Sequence, residues 1–503
     1  MPRMTVAATA ALFAVAAPAA RAQEHTHAGA EKLGTVHFAT SCSAKVAPRF
    51  DRAVAWLHSF EFGAAIRSFN EVLAADSTCA MAHWGIAMSQ WGNPMSVGAR
   101  PLARLTQGRQ AATTATRLSS RASERERGYI RAVGALFTDY EHVAQAARLT
   151  AYEQAMRELA SRQPADTEAQ IFYALSLAAA APPTDKTYAN QKKAGQILEA
   201  LWVKQPDHPG LAHYIIHAYD YPPLAGQARA AAQRYSSIAP SAAHALHMPS
   251  HTFTRVGMWE ESVNSNRRSF HAAVNTGATA EALHAMDYAV YAQLQLGREA
   301  AAREILDSLP AVASRFDPNA VTGAAPAAAG YFAIAAIPAR WALEREAWTE
   351  AAALQPRTTD YPWTEAMTYF ARALGASRSG DRAKARAAID SLGAIRQRLA
   401  ATGEVYWTEQ VAIQQLGAQA WLDLAEDRDD AALAKMREAA AREDATEKSA
   451  VTPGPLAPAR ELLGDMLMEL GRADEAVAEY RAVLEKEPNR RHSTQRLASV
   501  VKP

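Results

Sequence analysis

Cysteine is almost missing from this chain: two residues among 503. No CxxC motif exists, and one disulfide is the most that two cysteines can make. Charge of one sign is missing as well. The formal net charge is +1, from 53 Lys and Arg against 52 Asp and Glu. That balance argues against a nucleic-acid surface. Past the first residues, no stretch approaches the ~20 unbroken apolar residues of a membrane helix. Nucleophile elbow, P-loop and GxGxxG motifs are all absent, so the common signatures of acyl transfer and nucleotide binding are excluded. Ser250 precedes His251 but reads as an N-cap beside Pro249 rather than an activated serine. β-branched runs are scarce, whereas Ala, Glu, Arg and Leu are abundant. The chain is therefore expected to be all-α.

The first residues predict a secretory signal. Arg3 supplies the charged start, Val6 to Ala17 the short apolar stretch, and Ala20-Arg21-Ala22 the small-x-small cleavage site. The expected division begins with a signal peptide at 1–22, cleaved after Ala22, and an N-terminal segment at 23–46. No cysteine follows the cut to carry a lipid. The expected location is periplasmic or extracellular. In an oxidising compartment, Cys42 and Cys79 predict one disulfide closing a 37-residue loop, with two buried free thiols as the alternative.

A pattern of small and aromatic residues recurs along the chain. Near the C-terminus it reads Leu463-Gly464, Leu467, Gly471, Glu475-Ala476, Tyr480 and then Pro488. Gly464 and Ala476 would let two helices approach closely, Tyr480 would fill the gap to the next pair, and Pro488 would stop the second helix. Partial copies occur at Phe62, Ala65, Phe69 and Val72. Others occur at Met81, Trp84-Gly85 and Met88, then at Gly257 to Ser262, at Gly297, Ala302 and Leu306, at Trp348 to Ala351, and at Gly380 to Ala385. Pro206 and Pro240 lie 34 residues apart and bracket one copy.

This pattern resembles the tetratricopeptide (TPR) helix-turn-helix repeat, whose period is about 34 residues. The resemblance covers nearly all of the chain after residue 46. It implies a right-handed superhelical solenoid of about eleven hairpins that binds a protein or peptide in a concave groove. The stretches LGTVHFATSC, AMAHWGIAMSQWGNP, HPGLAHYIIHAYD, HALHMPSHTFTRVGMWEES and VTPGPLAPARELLGDM also resemble a group of exported bacterial TPR proteins. That likeness implies kinship and supplies no chemistry. A Pro/Gly/Ala-rich stretch at 317–326 is the best internal boundary. The expected arrays are therefore 47–316 and 331–503, joined by a linker at 317–330.

Two HxxxH pairs, His213/His217 and His247/His251, fall in the same repeat register, 34 residues apart. More than half of the chain's fifteen histidines lie between His208 and His284. With each closing proline at position 32, His213 and His217 take positions 5 and 9 of one first helix. His244, His247 and His251 take positions 2, 5 and 9 of the next. His284, Asp287 and Tyr291 take the same positions one copy later. In TPR proteins these positions line the groove, so the resemblance implies that all of these residues face it.

Residues four apart share a helix face, and two imidazoles so placed can bind one ion. The expectation is a transition-metal site for Zn, Cu, Ni or Fe, with Asp287 as a further ligand and Tyr219, Asp220 and Tyr291 nearby. Pro249, between His247 and His251, is expected to bend the second pair out of register. His58 is expected as a helix-end cap or a surface residue, and Asp220 is either a turn residue or a carboxylate behind a ligand. Glu461 and Asp465 form either an acidic groove end or a solvated face. Arg255 and Arg340 are weak candidates to clamp a ligand carboxylate. Two alternatives stand beside the metal: a pure interaction module, and a metal-dependent enzyme of unstated substrate.

Overall fold

The computed structural model describes residues 31–500 apart from residue 97. The expected leader at 1–22, its cleavage site, and His25 and His27 lie outside the described residues. Among the described residues all regular structure is helical, from Ala47–His58 to Arg491–Val500. No described helix is long and apolar enough to cross a membrane. Successive helices pair through short turns into hairpins, and residues from Lys32 onward form one compact unit.

Seven of the hairpin turns share one backbone device. A single residue midway between the two helices adopts positive φ. It is glycine at Gly257 (68°), Gly297 (71°), Gly380 (86°) and Gly471 (72°). Glycine suits this position because it lacks the Cβ that opposes left-handed backbone. Elsewhere the same position holds Phe60 (55°), Glu346 (52°) and Asp427 (59°). Those three turns carry no glycine, so the sequence pattern is weakest there. The C-terminal copy packs as the repeat pattern implies. A Cβ on Gly464 would lie 2.7 Å from the Tyr480 ring, and Ala476 is fully buried. The helix Ala473–Lys486 ends just before Pro488.

Apolar packing runs through the Pro/Gly/Ala-rich stretch. Leu283, Val290 and Leu309 on one side meet Ile337 and Trp341 on the other. The C-terminal hairpins also reach back onto the central ones. Trp259 Nε1 donates to the Asn489 carbonyl at 3.0 Å, and Asn489 Nδ2 donates to the Gly257 carbonyl at 3.2 Å. A Cβ on Gly257 would sit 2.2 Å from the Pro488 carbonyl oxygen, so only glycine permits this approach. Fully buried Arg490 joins Glu344, Glu461 and Tyr291 across almost two hundred residues of sequence.

Cys42 and Cys79 are joined in a disulfide that ties the N-terminal segment to the start of the helix Ala80–Trp91. It closes a loop of 37 residues, for which chain-entropy arguments assign a stabilisation of about 3–4 kcal/mol. The double variant Cys42→Ser, Cys79→Ser is expected to lose about that much in urea unfolding, with an unchanged helical circular-dichroism spectrum when folded.

Candidate metal centre

Three first helices carry the histidines. The first is Pro209–Ala218, opened by Pro209 at its first turn, where a missing N–H costs nothing. The second is broken: Ala243–His247 ends, and Pro249–Arg255 begins after Met248. Pro249 thus starts a new helix, as its ring requires. The third is Thr279–Gln295. All six imidazoles are buried, none more than 5 % exposed.

They gather into two trios rather than four around one point. His213, His217 and His244 form one, and His247, His251 and His284 form the other. Within each trio the ligand nitrogens lie within 4.8 Å of one another. The trios abut: ring centroids are 6.0 Å apart for His244 and His247, and 6.3 Å for His217 and His251. The helix break does not misalign the second pair. His247 Nε2 and His251 Nε2 stand 3.1 Å apart.

Hydrogen bonds decide which nitrogen of each ring carries the proton. His213 Nδ1 lies 2.6 Å from the His58 carbonyl oxygen, an atom that can only accept, so Nδ1 must donate. His244 Nδ1 donates to Glu281 Oε1 at 2.9 Å, and His251 Nδ1 to Asp220 Oδ2 at 2.9 Å. His247 Nδ1 donates to Asn266 Oδ1 at 2.7 Å. The Asn266 amide is oriented by its own Nδ2, which donates to the Ser262 carbonyl at 2.8 Å. In a neutral ring the other nitrogen is then a bare acceptor. His213 Nε2, His217 Nε2 and His244 Nε2 are buried with no hydrogen-bond partner in the protein, as is His284 Nδ1. His247 Nε2 and His251 Nε2 point lone pairs at each other. Each buried acceptor left unpaired costs about 1–3 kcal/mol.

Electrostatics keep five of the six rings neutral, those of His213, His217, His247, His251 and His284. Burial, and then the neighbouring imidazoles, hold His213, His217 and His284 well below the usual histidine range. Burial lowers His247 to about 3 and His251 to about 4, the latter despite Asp220 beside it. Burial would raise Asp220, but Lys448 and Arg255 outweigh it and hold the carboxyl well below its ordinary value. Glu281 is likewise brought down to about 2, because His244, which donates a hydrogen bond to it, outweighs burial. Neutral imidazoles backed by ionised carboxylates are the state in which histidine binds metal.

Phe60 roofs the first trio. Its ring centroid lies 4.4 Å from His213, 5.6 Å from His217 and 5.8 Å from His244. It holds a turn position that glycine fills elsewhere, at a cost of about 1–2 kcal/mol in backbone strain. The second trio is covered by Tyr288, stacked on His251 at 5.0 Å, whose hydroxyl donates to the Thr452 carbonyl. Lys448 Nζ donates to Asp220 Oδ2 at 3.1 Å. The groove over the histidines is therefore occupied by the chain's own residues near 448–452. Beyond Lys448 and Thr452 lies a cavity of about 400 Å³ lined by Trp363, Trp407, Tyr406 and Gln414.

Several expected residues act elsewhere. Asp287 belongs to neither trio and accepts from Arg340 Nε at 2.8 Å. Arg340 also donates to the Gly454 and Pro455 carbonyls, so it clamps the chain itself rather than a ligand. Tyr291 donates to Glu487 and accepts from Arg490. Tyr219 packs on Gly195, where a Cβ would lie 2.1 Å from the ring. Asp220 is more than a turn residue, since Arg255 Nε also donates to it at 2.9 Å. Glu461 and Asp465 form neither a free acidic end nor a solvated face. Arg490 and Ser493 hold the first, and Tyr480 and His492 the second.

His58, expected as a helix-end cap or a surface residue, is fully buried. Its Nε2 and that of His208 each lie 2.9 Å from Glu168, and Tyr214 meets His58 Nδ1 at 3.0 Å. The two donors and the carboxylate satisfy one another, which a metal set would not do. Glu281, Asn266, Phe60 and Lys448 had no signal in the sequence beyond ordinary helix or turn residues.

With metal stripped by a chelator, His247 and His251 stay neutral in the folded state, while the unfolded chain binds protons below about pH 6.5. Their folded pKa values are depressed, to about 3 and about 4. Stability is therefore intact above pH 6.5 and lost as pH falls from there toward 4. The slope is about 1.4 kcal/mol per pH unit for each such histidine. The urea midpoint of metal-free protein is expected to fall between pH 7.5 and 5, and His251→Gln to lessen the fall. A midpoint independent of pH across that range would contradict this.

No family model matches the chain, and no curated protein matches its sequence. Solved structures similar to it include yeast Tom70, at 11 % identity over 91 % of this chain and 95 % of that one, TM-score 0.38. The Cut9–Hcn1 hetero-tetramer of APC/C is similar at 12 % identity over 91 % and 76 %, TM-score 0.36. A human IFIT1 dimer with m7Gppp-AAAA is similar at 11 % identity over 80 % and 89 %, TM-score 0.39. Likenesses this distant carry no inference about binding or activity. The ordered hairpins, their shared left-handed turns and the 34-residue register make the chain a tetratricopeptide-like helical-repeat protein.

Proposed function

We propose that the chain is an exported helical-repeat scaffold whose central repeats bind a transition metal, with Zn, Cu, Ni and Fe as candidates. The observation that carries this reading is the first trio. His213, His217 and His244 bring one nitrogen each within 4.8 Å of one another, their Nε2 atoms are buried without partners, and Nδ1 of His213 and of His244 is already committed as a donor. A metal accepts those lone pairs at about 2.0–2.1 Å and relieves the cost of burying them. An all-imidazole set suits late first-row ions. Occupation of the overlying groove by residues near 448–452 weighs against a peptide ligand at this point.

A metal-dependent activity is the second reading. Three protein ligands leave a coordination position open, the pattern of reactive rather than structural sites. The cavity beyond Lys448 and Thr452 offers room for a small molecule next to it.

Metal analysis of protein purified without a histidine tag is expected to find a transition metal at stoichiometric level, and His213→Ala with His217→Ala to lower it. Glu281→Gln, which alters the acceptor behind His244, is expected to weaken metal binding roughly 10–100-fold in a chelator competition. No metal above trace and no uptake on titration would sink the reading.

A further inference from the structure

We propose that the cluster is built for two metal ions, one in each trio, held side by side. The inference rests on the metal-binding reading and goes beyond it in number and arrangement. The repeat itself generates the site twice. Positions 5 and 9 of one first helix supply His213 and His217, and position 2 of the following first helix supplies His244. One copy later the same positions supply His247, His251 and His284. The next copy would draw on Asp287 and Tyr291. There the series ends, because Arg340 takes the carboxylate and Arg490 the phenol.

An ion in the first trio leaves the second unexplained. His247 and His251 each have Nδ1 committed, to Asn266 and Asp220, so their Nε2 lone pairs oppose each other at 3.1 Å. A cation between them turns that repulsion into coordination. His284, whose Nδ1 is buried and unpartnered, brings the third nitrogen of this trio. The two seats have separate supporting groups: the His58 carbonyl and Glu281 for one, Asn266 and Asp220 for the other. Rings of the two trios meet at 6.0 and 6.3 Å between centroids. Ions about 2.0–2.1 Å from nitrogens of trios that abut in this way would be neighbours. With three imidazoles each and no anionic ligand, the pair would take small oxygen or nitrogen donors in its open positions.

Cu²⁺ is the probe, because its unpaired spin reports both number and spacing. Stripped full-length processed chain is loaded by equilibrium dialysis, and copper is counted against protein. Two equivalents are expected in the wild type. Its electron paramagnetic resonance signal should integrate to well below the copper content, because neighbouring spins couple. His244→Ala and His284→Ala, each checked for native helicity, should each bind one equivalent with its full spin visible. The wild-type measurement alone decides if either variant fails to fold. One equivalent in the wild type overturns the pair and leaves the single-site reading standing. Two equivalents with two independent spins, or a count that neither variant lowers, also overturn it. No copper bound at all sinks the metal reading together with the pair.

Discussion

Four buried Nδ1–H groups, each tied to one acceptor, control the centre of this molecule. The His58 carbonyl, Glu281, Asn266 and Asp220 each claim the proton of one ring. Once those protons are committed, the opposite nitrogens must face inward as bare acceptors. Burial and mutual proximity then prevent the His213, His247 and His251 rings from gaining a second proton. The acceptors come from distant parts of the chain, so the tautomers are a property of the assembled repeats. The contrast with His58, Glu168 and His208 is instructive. There a carboxylate sits between the rings and accepts from Nε2 of both, which leaves only His208 Nδ1 without a partner.

The supporting layer extends into the C-terminal repeats. Lys448 and Arg255 keep Asp220 ionised behind His251, and Thr452 fixes Tyr288 over the same ring. Arg340 and Arg490, both fully buried, lock the 452–455 loop and the last hairpin onto the central helices. Burying such charges is tolerable only because each is paired several times over. Residues from the later repeats, among them Lys448, Thr452 and Gly454, hydrogen-bond to the central helices here. The site is an interior, and Lys448 and Thr452 beside it also line the 400 Å³ cavity.

Much of the fold was legible in advance. Helix content, hairpin turns at glycine, close helix approach at Gly464 and the stop at Pro488 follow from short-range rules of backbone and packing. The gathering of histidines was legible from register alone, since residues at equal repeat positions fall on equal faces. Three kinds of information were not. The turn at Phe60 lacks the glycine that marks its counterparts. Glu281 and Asn266 look like any polar residue within a helix. Asp287 carries the right position and chemistry for a ligand, yet an arginine 53 residues later takes it.

The sequence by itself determined an all-helical repeat protein and the spacing that sets imidazoles in rows, because both depend on interactions within one hairpin or between neighbours. Only the tertiary structure decided how those rows divide. The two HxxxH pairs each meet a histidine from the first helix of the next repeat, rather than one another. The reason is physical. Which nitrogen is free, and which ring it faces, depends on acceptors and curvature supplied by segments tens to hundreds of residues away.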